Sequence, residues 1–268
     1  MKPLFSILKE QFQSFYLIQR LAIFQLKIDN RNNYLGFIWE ILNPAIQMAM
    51  YWFVFGLGIR ANQDVDGVPY VFWMLAGICM WFFINQGILD GTRSIHQKFN
   101  MVAKMNFPLS ALPSYVITGK FYGHLVLLGL IMIVFWTGGY LPSIHYVQLI
   151  YFVGLSYIFT FSIALLTATL AVVIRDIQMV IQSILRVMFF LSPILWLPDR
   201  LPETLQKMMM YNPFSYLANG YRAALLNKEW YITENWEMTI YNLAFILVVL
   251  IIGSSAHNKF RDRFSDFI

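Results

Sequence analysis

The chain has 268 residues, of which 59% are hydrophobic and 12% are charged, and its formal net charge is +5. Soluble domains carry about 25% charged residues, so this composition excludes an ordinary soluble protein and indicates an integral membrane protein. The single cysteine excludes an intrachain disulfide, and the four histidines show no metal-ligand spacing. The basic residues lie largely in short loops, which indicates membrane orientation rather than nucleic-acid binding. No metal or other cofactor is therefore expected in this chain.

Residues 1–34 are predicted to form an N-terminal amphipathic helix. Apolar residues recur there at steps of three and four, which places them on one helix face. Such a helix lies in the plane of the membrane interface or packs against the protein's own spans, and the pattern allows both. No signal-peptide layout is present, so we expect this part to be retained. The apolar face consists of Phe5, Leu8, Phe12, Phe15, Ile18 and Ala22.

Residues 35–268 are predicted to form an all-α domain with six transmembrane helices. A span needs about 20 predominantly apolar residues to cross about 30 Å of hydrocarbon, and turn or charge signals separate runs of about this length. The predicted spans are Ile41–Ile59, Val68–Leu89, Phe121–Leu141, Tyr146–Ile174, Ile177–Leu197 and Glu237–His257.

The interval between the second and third spans, residues 90–120, is basic, and the charge pattern places it on the cytoplasmic side. Within it, Ser94–Met105 has the period of a short helix with Phe99 and Val102 on one face, and two prolines follow. A short helix on a cytoplasmic loop can be held by a soluble partner, although an ordinary solvated connection produces the same pattern.

Residues 198–236 separate the last two spans and are predicted to lie on the outer side. Their apolar part, Phe214–Leu226, is too short to span as a helix and is predicted to be a re-entrant or interfacial segment. Most basic residues lie in the termini and in the 90–120 interval, which places both termini in the cytoplasm.

Arg186 is the one charged residue deep within a predicted span. It is nine residues after Ile177, or about 14 Å at 1.5 Å per residue, which is near the bilayer centre. It shares a helix face with Gln178 and Gln182. An arginine at this depth normally faces a bundle interior or a wet cavity, so Arg186 is a candidate for substrate contact. Alternatively, the span begins later and the side chain reaches the inner interface.

Aromatic residues are dense in the first two spans, and Tyr51, Phe55 and Trp73 are among them. Those near the span ends fit the interfacial belt of membrane proteins. Ring faces also stack on sugars and pack against lipid chains, so the same residues could line a path for a sugar or a lipid. Both interpretations remain open.

The sequence does not favour catalysis by this chain. No acidic residue lies deep within a predicted span, whereas a membrane-embedded hydrolase or transferase needs paired carboxylates or a metal. The sequence also has no G-x-x-x-x-G-K-[ST] phosphate loop, so another chain would have to hydrolyse ATP. The classes that stay open are an ATP-driven export permease, an ion channel or proton-coupled transporter, and an integral membrane glycan-modifying enzyme.

Several motifs, in order and over nearly the whole chain, resemble the membrane subunit of ABC exporters for polysaccharides. Within that family the chain most resembles the permeases that export wall teichoic acid in Gram-positive bacteria. The motifs are NYLGFIWEILNP (33–44), YWFVFGLGIR (51–60), VDGVPYVFWMLAG (65–77), KMNFPLSALPS (104–114), RDIQMVIQSILRVMFFLSPILW (175–196) and LPETLQKMMMYNPFSYLANGYRAALL (201–226).

The resemblance implies a homodimer in the plasma membrane, joined to two copies of an ABC subunit that binds and hydrolyses ATP with Mg. It implies export of a polyprenyl-diphosphate-linked teichoic acid, or of another surface polysaccharide such as a capsule or an O-antigen-like glycan. It also implies that the N-terminal helix lies on the inner membrane surface. The residues expected to couple to the ATPase are Asp29, Arg31, Arg93, His96, Phe99, Val102 and Lys104. The residues expected along the substrate path are Tyr51, Phe55, Trp73, Gln178, Gln182 and Arg186.

Overall fold

The computed structural model describes residues 2–29, 31, 34–59, 63–102 and 107–264. In these residues the regular secondary structure is helical, apart from an isolated bridge between Val65 and Val68. The predicted all-α class is therefore confirmed for the part of the chain that the structure describes.

The α-helices, numbered along the chain, are connected by short turns and by short 3₁₀ or π segments. The α-helices are α1 Lys2–Gln13, α2 Phe15–Asp29, α3 Trp39–Tyr51, α4 Tyr70–Val102, α5 Ala111–Thr137, α6 Tyr146–Val173, α7 Ile177–Leu191, α8 Glu203–Met210, α9 Pro213–Leu225, α10 Tyr231–Glu234 and α11 Trp236–Phe260. The 3₁₀ segments are Gly36–Ile38, Pro198–Arg200 and Arg261–Arg263, and a π-helix covers Trp52–Ile59.

Five helical segments of the described chain are long and apolar enough to cross a membrane. They are Gly36–Ile59, Tyr70–Phe99, Ala111–Thr137, Tyr146–Val173 and Trp236–Arg263. Four of them overlap the first four predicted spans, and the fifth overlaps the predicted last span.

The predicted fifth span, Ile177–Leu197, is helical only over α7. The 15 residues of α7 extend about 22 Å at 1.5 Å per residue, which is less than the hydrocarbon thickness of about 30 Å. The helix ends because Ser192 precedes Pro193, and a residue before proline avoids the helical region; Ser192 is extended, with φ −85° and ψ 136°. A total of six spans therefore stays a prediction.

The second span does not end at Leu89 as predicted. Helix α4 continues from Tyr70 to Val102, so the separate short helix expected over Ser94–Met105 is instead the end of this long helix in its described part. Gly91 lies where α4 packs closely on α6, since a Cβ atom there would be 2.7 Å from the Cβ atom of Ala164. This glycine permits close helix packing and does not begin a loop.

Helix α5 begins at Ala111, ten residues before the predicted start at Phe121. Pro113 lies in its first turn, where the backbone N–H groups have no intrahelical acceptor, so the missing proton of proline costs little. Pro113 therefore belongs to the start of α5 and does not end the helix before it. The connection between α4 and α5 is consequently much shorter than residues 90–120, and residues 103–106 lie outside the described part.

The N-terminal segment forms two helices that meet at Ser14, and its predicted apolar face is divided between them. Phe12 and Phe15 are exposed, whereas Ile18 and Ala22 are buried. The buried pair lies on α2, which packs along α5. The second part of the stripe therefore covers the protein's own bundle, and the first part remains available to lipid.

Helix α1 is fixed by polar contacts to two distant parts of the chain. Gln11 donates from Nε2 to the carbonyl oxygen of Ser110 at 3.1 Å, and the guanidinium of Arg261 pairs with Glu10 at 2.7 Å. These contacts attach α1 to the start of α5 and to the end of α11. Its position in the membrane interface stays a prediction.

Helix α9 is formed by the segment that was predicted to be re-entrant or interfacial. Asn212 caps it, because its side-chain oxygen accepts from the N–H of Phe214 at 3.0 Å. All residues of α9 except Pro213 and Asn219 are buried, and the helix packs against α4 and α6. It is thus part of the bundle core, and its depth in the membrane stays a prediction.

Candidate functional site

The first span and α7 adjoin each other and leave much of their surface uncovered. Only 17% of the most apolar stretch of the first span is buried, against 72% for α4. The rings of Tyr51 and Phe189 link the two segments, with centroids 5.5 Å apart. We call this uncovered surface the open face; its exposed residues include Ile46, Met50, Phe53, Val54, Leu57, Gln182, Ile184, Arg186, Val187 and Phe190.

A chain of aromatic rings positions the open face on the bundle. Phe189 contacts Trp81 of α4 with centroids 5.2 Å apart, and Trp81 contacts Phe214 of α9 at 5.4 Å. Phe214 in turn meets Phe159 of α6 edge to face at 5.2 Å. These contacts explain why α7 packs through Phe189, and they leave its opposite side open. Phe55 is half-buried against the same core.

Arg186 lies on the side of α7 that points away from the bundle. The buried residues of α7 are Leu185 and Phe189, whereas Arg186 and Gln182 are exposed and Gln178 is half-buried. Among the described residues Arg186 makes no salt bridge or side-chain hydrogen bond. A charged side chain facing lipid near the bilayer centre costs about 3 kcal/mol or more. If α7 lies in the membrane as predicted, this side of the helix therefore requires water, a polar partner or an anionic ligand.

Trp73 does not lie on the open face, because it is buried beneath the guanidinium of Arg222. The Cζ atom of Arg222 is 3.5 Å from the ring centroid. The same guanidinium donates to the carbonyl oxygens of Trp73 at 3.2 Å, Pro193 at 3.1 Å and Ile194 at 2.6 Å, and to Oδ1 of Asn219 at 2.8 Å. Arg222 therefore joins α4, α9 and the loop after α7.

Sequence reasoning missed Arg222, although a signal for it existed. The residue interrupts a 13-residue apolar helix, which is the same kind of signal that identified Arg186. The difference between the two arginines is direction, since Arg222 points into the bundle and Arg186 points out of it.

Further hydrogen bonds fix the loop that follows α7. The hydroxyl of Tyr70 donates to the carbonyl oxygen of Leu195 at 2.7 Å, and Nδ2 of Asn212 donates to Oγ of Ser192 at 2.8 Å. Trp196 donates from its indole nitrogen to the carbonyl oxygen of Phe190 at 2.9 Å. The C-terminal end of α7 is thus firmly attached, while the preceding turns of the helix are covered on one side only.

The predicted ATPase-coupling residues lie near the ends of α2 and α4. Arg93 and His96 are on the last turns of α4, and Nδ1 of His96 is buried without a hydrogen-bond partner in the described residues. Phe99 packs on the small core cluster that contains Leu112 and Tyr115 of α5. Phe99 thus lies on the same long helix as the second predicted span, because α4 itself extends through this position.

The remaining coupling residues are less informative. Arg31 is exposed in the turn that follows α2. Asp29 and Val102 are the last residues of α2 and α4. The side chains of both, and all of Lys104, lie outside the described residues, so the predicted coupling surface is seen only in part.

Comparison with known proteins gives a consistent result. A family model described as ABC-2 type transporter matches residues 16–226, which contain both Arg186 and Arg222. The O-antigen export system permease protein RfbA of Myxococcus xanthus is 25% identical over 98% of this chain and 99% of its own length. A protein of the same name from Klebsiella pneumoniae is 24% identical over 97% of this chain and 99% of its own length. The polysialic acid transport protein KpsM of Escherichia coli is 23% identical over 82% of this chain and 83% of its own length.

Proposed function

The chain belongs to the ABC-2 type transporter family, and from this premise we propose that it is the membrane permease subunit of an ATP-driven exporter of a surface polysaccharide. The observation that carries the proposal is the end-to-end likeness to O-antigen export permeases, which covers 98% of this chain in one case and 97% in another. The polymer would be carried on a polyprenyl diphosphate lipid and would move from the inner to the outer face of the plasma membrane.

In this proposal, two copies of a separate ABC subunit bind ATP with Mg and hydrolyse it. The absence of a phosphate loop from the sequence supports this division of roles. The ends of α2 and α4, with Arg31, Arg93 and His96, are the proposed contact with that subunit. Both chain termini then lie in the cytoplasm, as the charge pattern indicates.

We further propose that the permease acts as a homodimer whose open faces enclose the polymer path. Arg186 has no polar partner among the described residues and requires one if α7 lies in the membrane. A second copy related by a two-fold axis can enclose Arg186 together with the exposed apolar side chains of the first span. Tyr51, Phe55, Gln178 and Gln182 would then lie beside the path. Trp73 would support the wall through Arg222 and would not touch the polymer.

The chemistry of the polymer divides the proposal into two versions. The relatives described above are O-antigen and polysialic acid transport proteins, which favours a polysaccharide of that kind. Wall teichoic acid follows only from the sequence resemblance to permeases of Gram-positive bacteria. Both versions use the same lipid diphosphate and the same dimer.

Deletion of the gene followed by complementation tests the proposal. We expect the deletion to remove one polymer from the cell surface and to leave its lipid-linked form in the cytoplasmic leaflet, and a plasmid copy to restore export. Extraction of the surface material separates the two versions, since teichoic acid is rich in phosphate and an O-antigen-like chain is not. An unchanged amount of every surface glycan in the deletion strain would refute the proposal.

A further inference from the structure

A pocket of about 170 Å³ lies between α2, α4 and α5, at the end of α4 that the charge pattern places at the inner membrane surface. We call it the basic pocket, and its lining includes Gln25, Asp90, Arg93, Lys98, Gly119 and Lys120. One water molecule requires about 10–15 Å³ in a cavity, so the pocket has room for a polyatomic group together with water.

The charges around the pocket are not balanced. Lys120 lies 3.5 Å from Asp90 and 3.8 Å from Glu40, so its charge is compensated. Neither Arg93 nor Lys98 has a carboxylate within salt-bridge distance among the described side chains. Arg93 and Lys98 therefore have no carboxylate partner among the described residues. With three basic residues, Arg93, Lys98 and Lys120, against two acidic ones, Asp90 and Glu40, the group carries a net charge of +1, which favours an anionic ligand.

The donors are of the types that bind phosphate. The planar guanidinium of Arg93 can donate two parallel hydrogen bonds to two oxygens of one phosphate, and the ammonium of Lys98 adds a compact positive charge. Lys98 also lies 3.4 Å from Oε1 of Gln25, a contact that holds its head group at the edge of the pocket. Gly119 forms part of the wall and contributes no side chain, so it leaves space for the ligand.

The surroundings favour a phosphate that is attached to a lipid. Next to Gln25 on α2, the side chains of Ile23, Phe24 and Ile28 are 47%, 60% and 48% exposed. Acyl chains could cover these side chains while the head group enters the pocket. We propose that the basic pocket binds an acidic phosphate group, either on a membrane lipid or free in the cytoplasm, and this proposal does not rest on polysaccharide export.

Thermal unfolding of the purified full-length chain in a neutral detergent tests the proposal. The probes are short-chain phosphatidylglycerol, short-chain phosphatidylcholine and inorganic phosphate, each titrated at constant ionic strength. A ligand that binds only the folded state raises Tm, and the rise increases with the ligand concentration. We expect phosphatidylglycerol to raise Tm more than phosphatidylcholine, whose choline group opposes the two cations. A comparable rise with inorganic phosphate would show that the pocket accepts the free anion.

Charge variants locate the effect. Arg93→Gln and Lys98→Gln should each weaken the apparent affinity for phosphatidylglycerol about tenfold, because each removes one charge-assisted contact. Arg175→Gln is the matched control, since Arg175 is an exposed basic residue that does not line the pocket. Equal weakening by all three substitutions would indicate general surface attraction and would overturn the proposal.

A steric variant tests the pocket without a change of charge. A Cβ atom at Gly119 would lie 3.6 Å from the carbonyl oxygen of Ala22 and 3.8 Å from Cγ of Leu26, which are ordinary contacts. Gly119→Ala should therefore bind phosphatidylglycerol as the native protein does, whereas Gly119→Leu should fill the pocket and reduce the affinity at least tenfold. Undiminished binding by a folded Gly119→Leu protein would overturn the proposal, and if that variant does not fold, the charge variants decide.

Discussion

Replacement of Gly77 by alanine is expected to destabilise the protein, although glycine-to-alanine changes within helices usually stabilise. A Cβ atom at position 77 would lie 2.5 Å from Nη2 of Arg222 and 2.9 Å from its Cζ. The guanidinium cannot move away freely, because three backbone carbonyls, one side-chain amide and the ring of Trp73 hold it in place. The methyl group would therefore displace a buried cation from its acceptors.

The size of the effect follows from those contacts. Loss of one or two hydrogen bonds to a charged group costs about 1.5–3 kcal/mol each, and the helix gains about 1 kcal/mol when glycine becomes alanine. We expect a net loss of about 2 kcal/mol for Gly77→Ala. At about 2–4 °C for each kcal/mol in a chain of this size, Tm should fall by roughly 4–8 °C.

Thermal unfolding in detergent measures this change against two controls. Gly129→Ala and Gly154→Ala place the same methyl group on α5 and α6, where a Cβ atom meets nothing within 4 Å. Both should leave Tm unchanged or raise it slightly. In an Arg222→Met background, Gly77→Ala should cost much less than it does alone. A Tm for Gly77→Ala equal to that of Gly129→Ala would refute the reasoning.

The remaining predictions concern the open face and the outer loops. If Arg186 contacts the lipid diphosphate, Arg186→Lys should retain part of the export activity and Arg186→Met almost none. ATP hydrolysis by the complex should change less than export does. Normal export by a stable Arg186→Met protein would contradict this prediction. Cysteine pairs placed along Met48–Phe55 and Val187–Ile194 in a cysteine-free background should crosslink between subunits, whereas crosslinks confined to α5 or α11 would contradict the proposed dimer. Burial and the neighbouring Glu234 raise the pKa of Glu229. The stabilising contribution of Glu229 is therefore fully present below the ordinary pKa of glutamate, about 4.3. It is lost as the pH rises through the raised pKa of the folded state. Glu229→Gln should therefore raise Tm more at pH 8 than at pH 4, and equal changes at the two pH values would contradict the interpretation.

The ends of a span could be predicted where an apolar run has a polar turn on each side. The predicted span Tyr146–Ile174 ends one residue after α6, because Arg175 and Asp176 interrupt the apolar pattern. The limits of α4 were missed because a helix that continues into water has the same three-and-four periodicity as a separate short helix. Local sequence does not distinguish these two cases; the packing of Gly91 on Ala164 does.

The candidate site shows a similar limit. The sequence indicates that Arg186 lies within a membrane helix, but not which way it points, because the direction depends on which side of α7 the ring of Phe189 anchors to the bundle. The role of Arg222 depends on carbonyl groups far away in sequence, at positions 73, 193 and 194. A single chain cannot supply the partner that covers the open face, so the dimer remains a proposal.

Reconstituted transport tests the central claim most directly. The permease and its ATPase partner would be placed in vesicles that carry the lipid-linked polymer in the outer leaflet, and a membrane-impermeant glycosidase would measure how much polymer stays accessible. The account predicts that ATP reduces accessibility only when both subunits are present and that vanadate or a catalytically inactive ATPase prevents it. Unchanged accessibility, with an assembled complex that hydrolyses ATP in the presence of its native polymer, would contradict the assignment as a polysaccharide exporter.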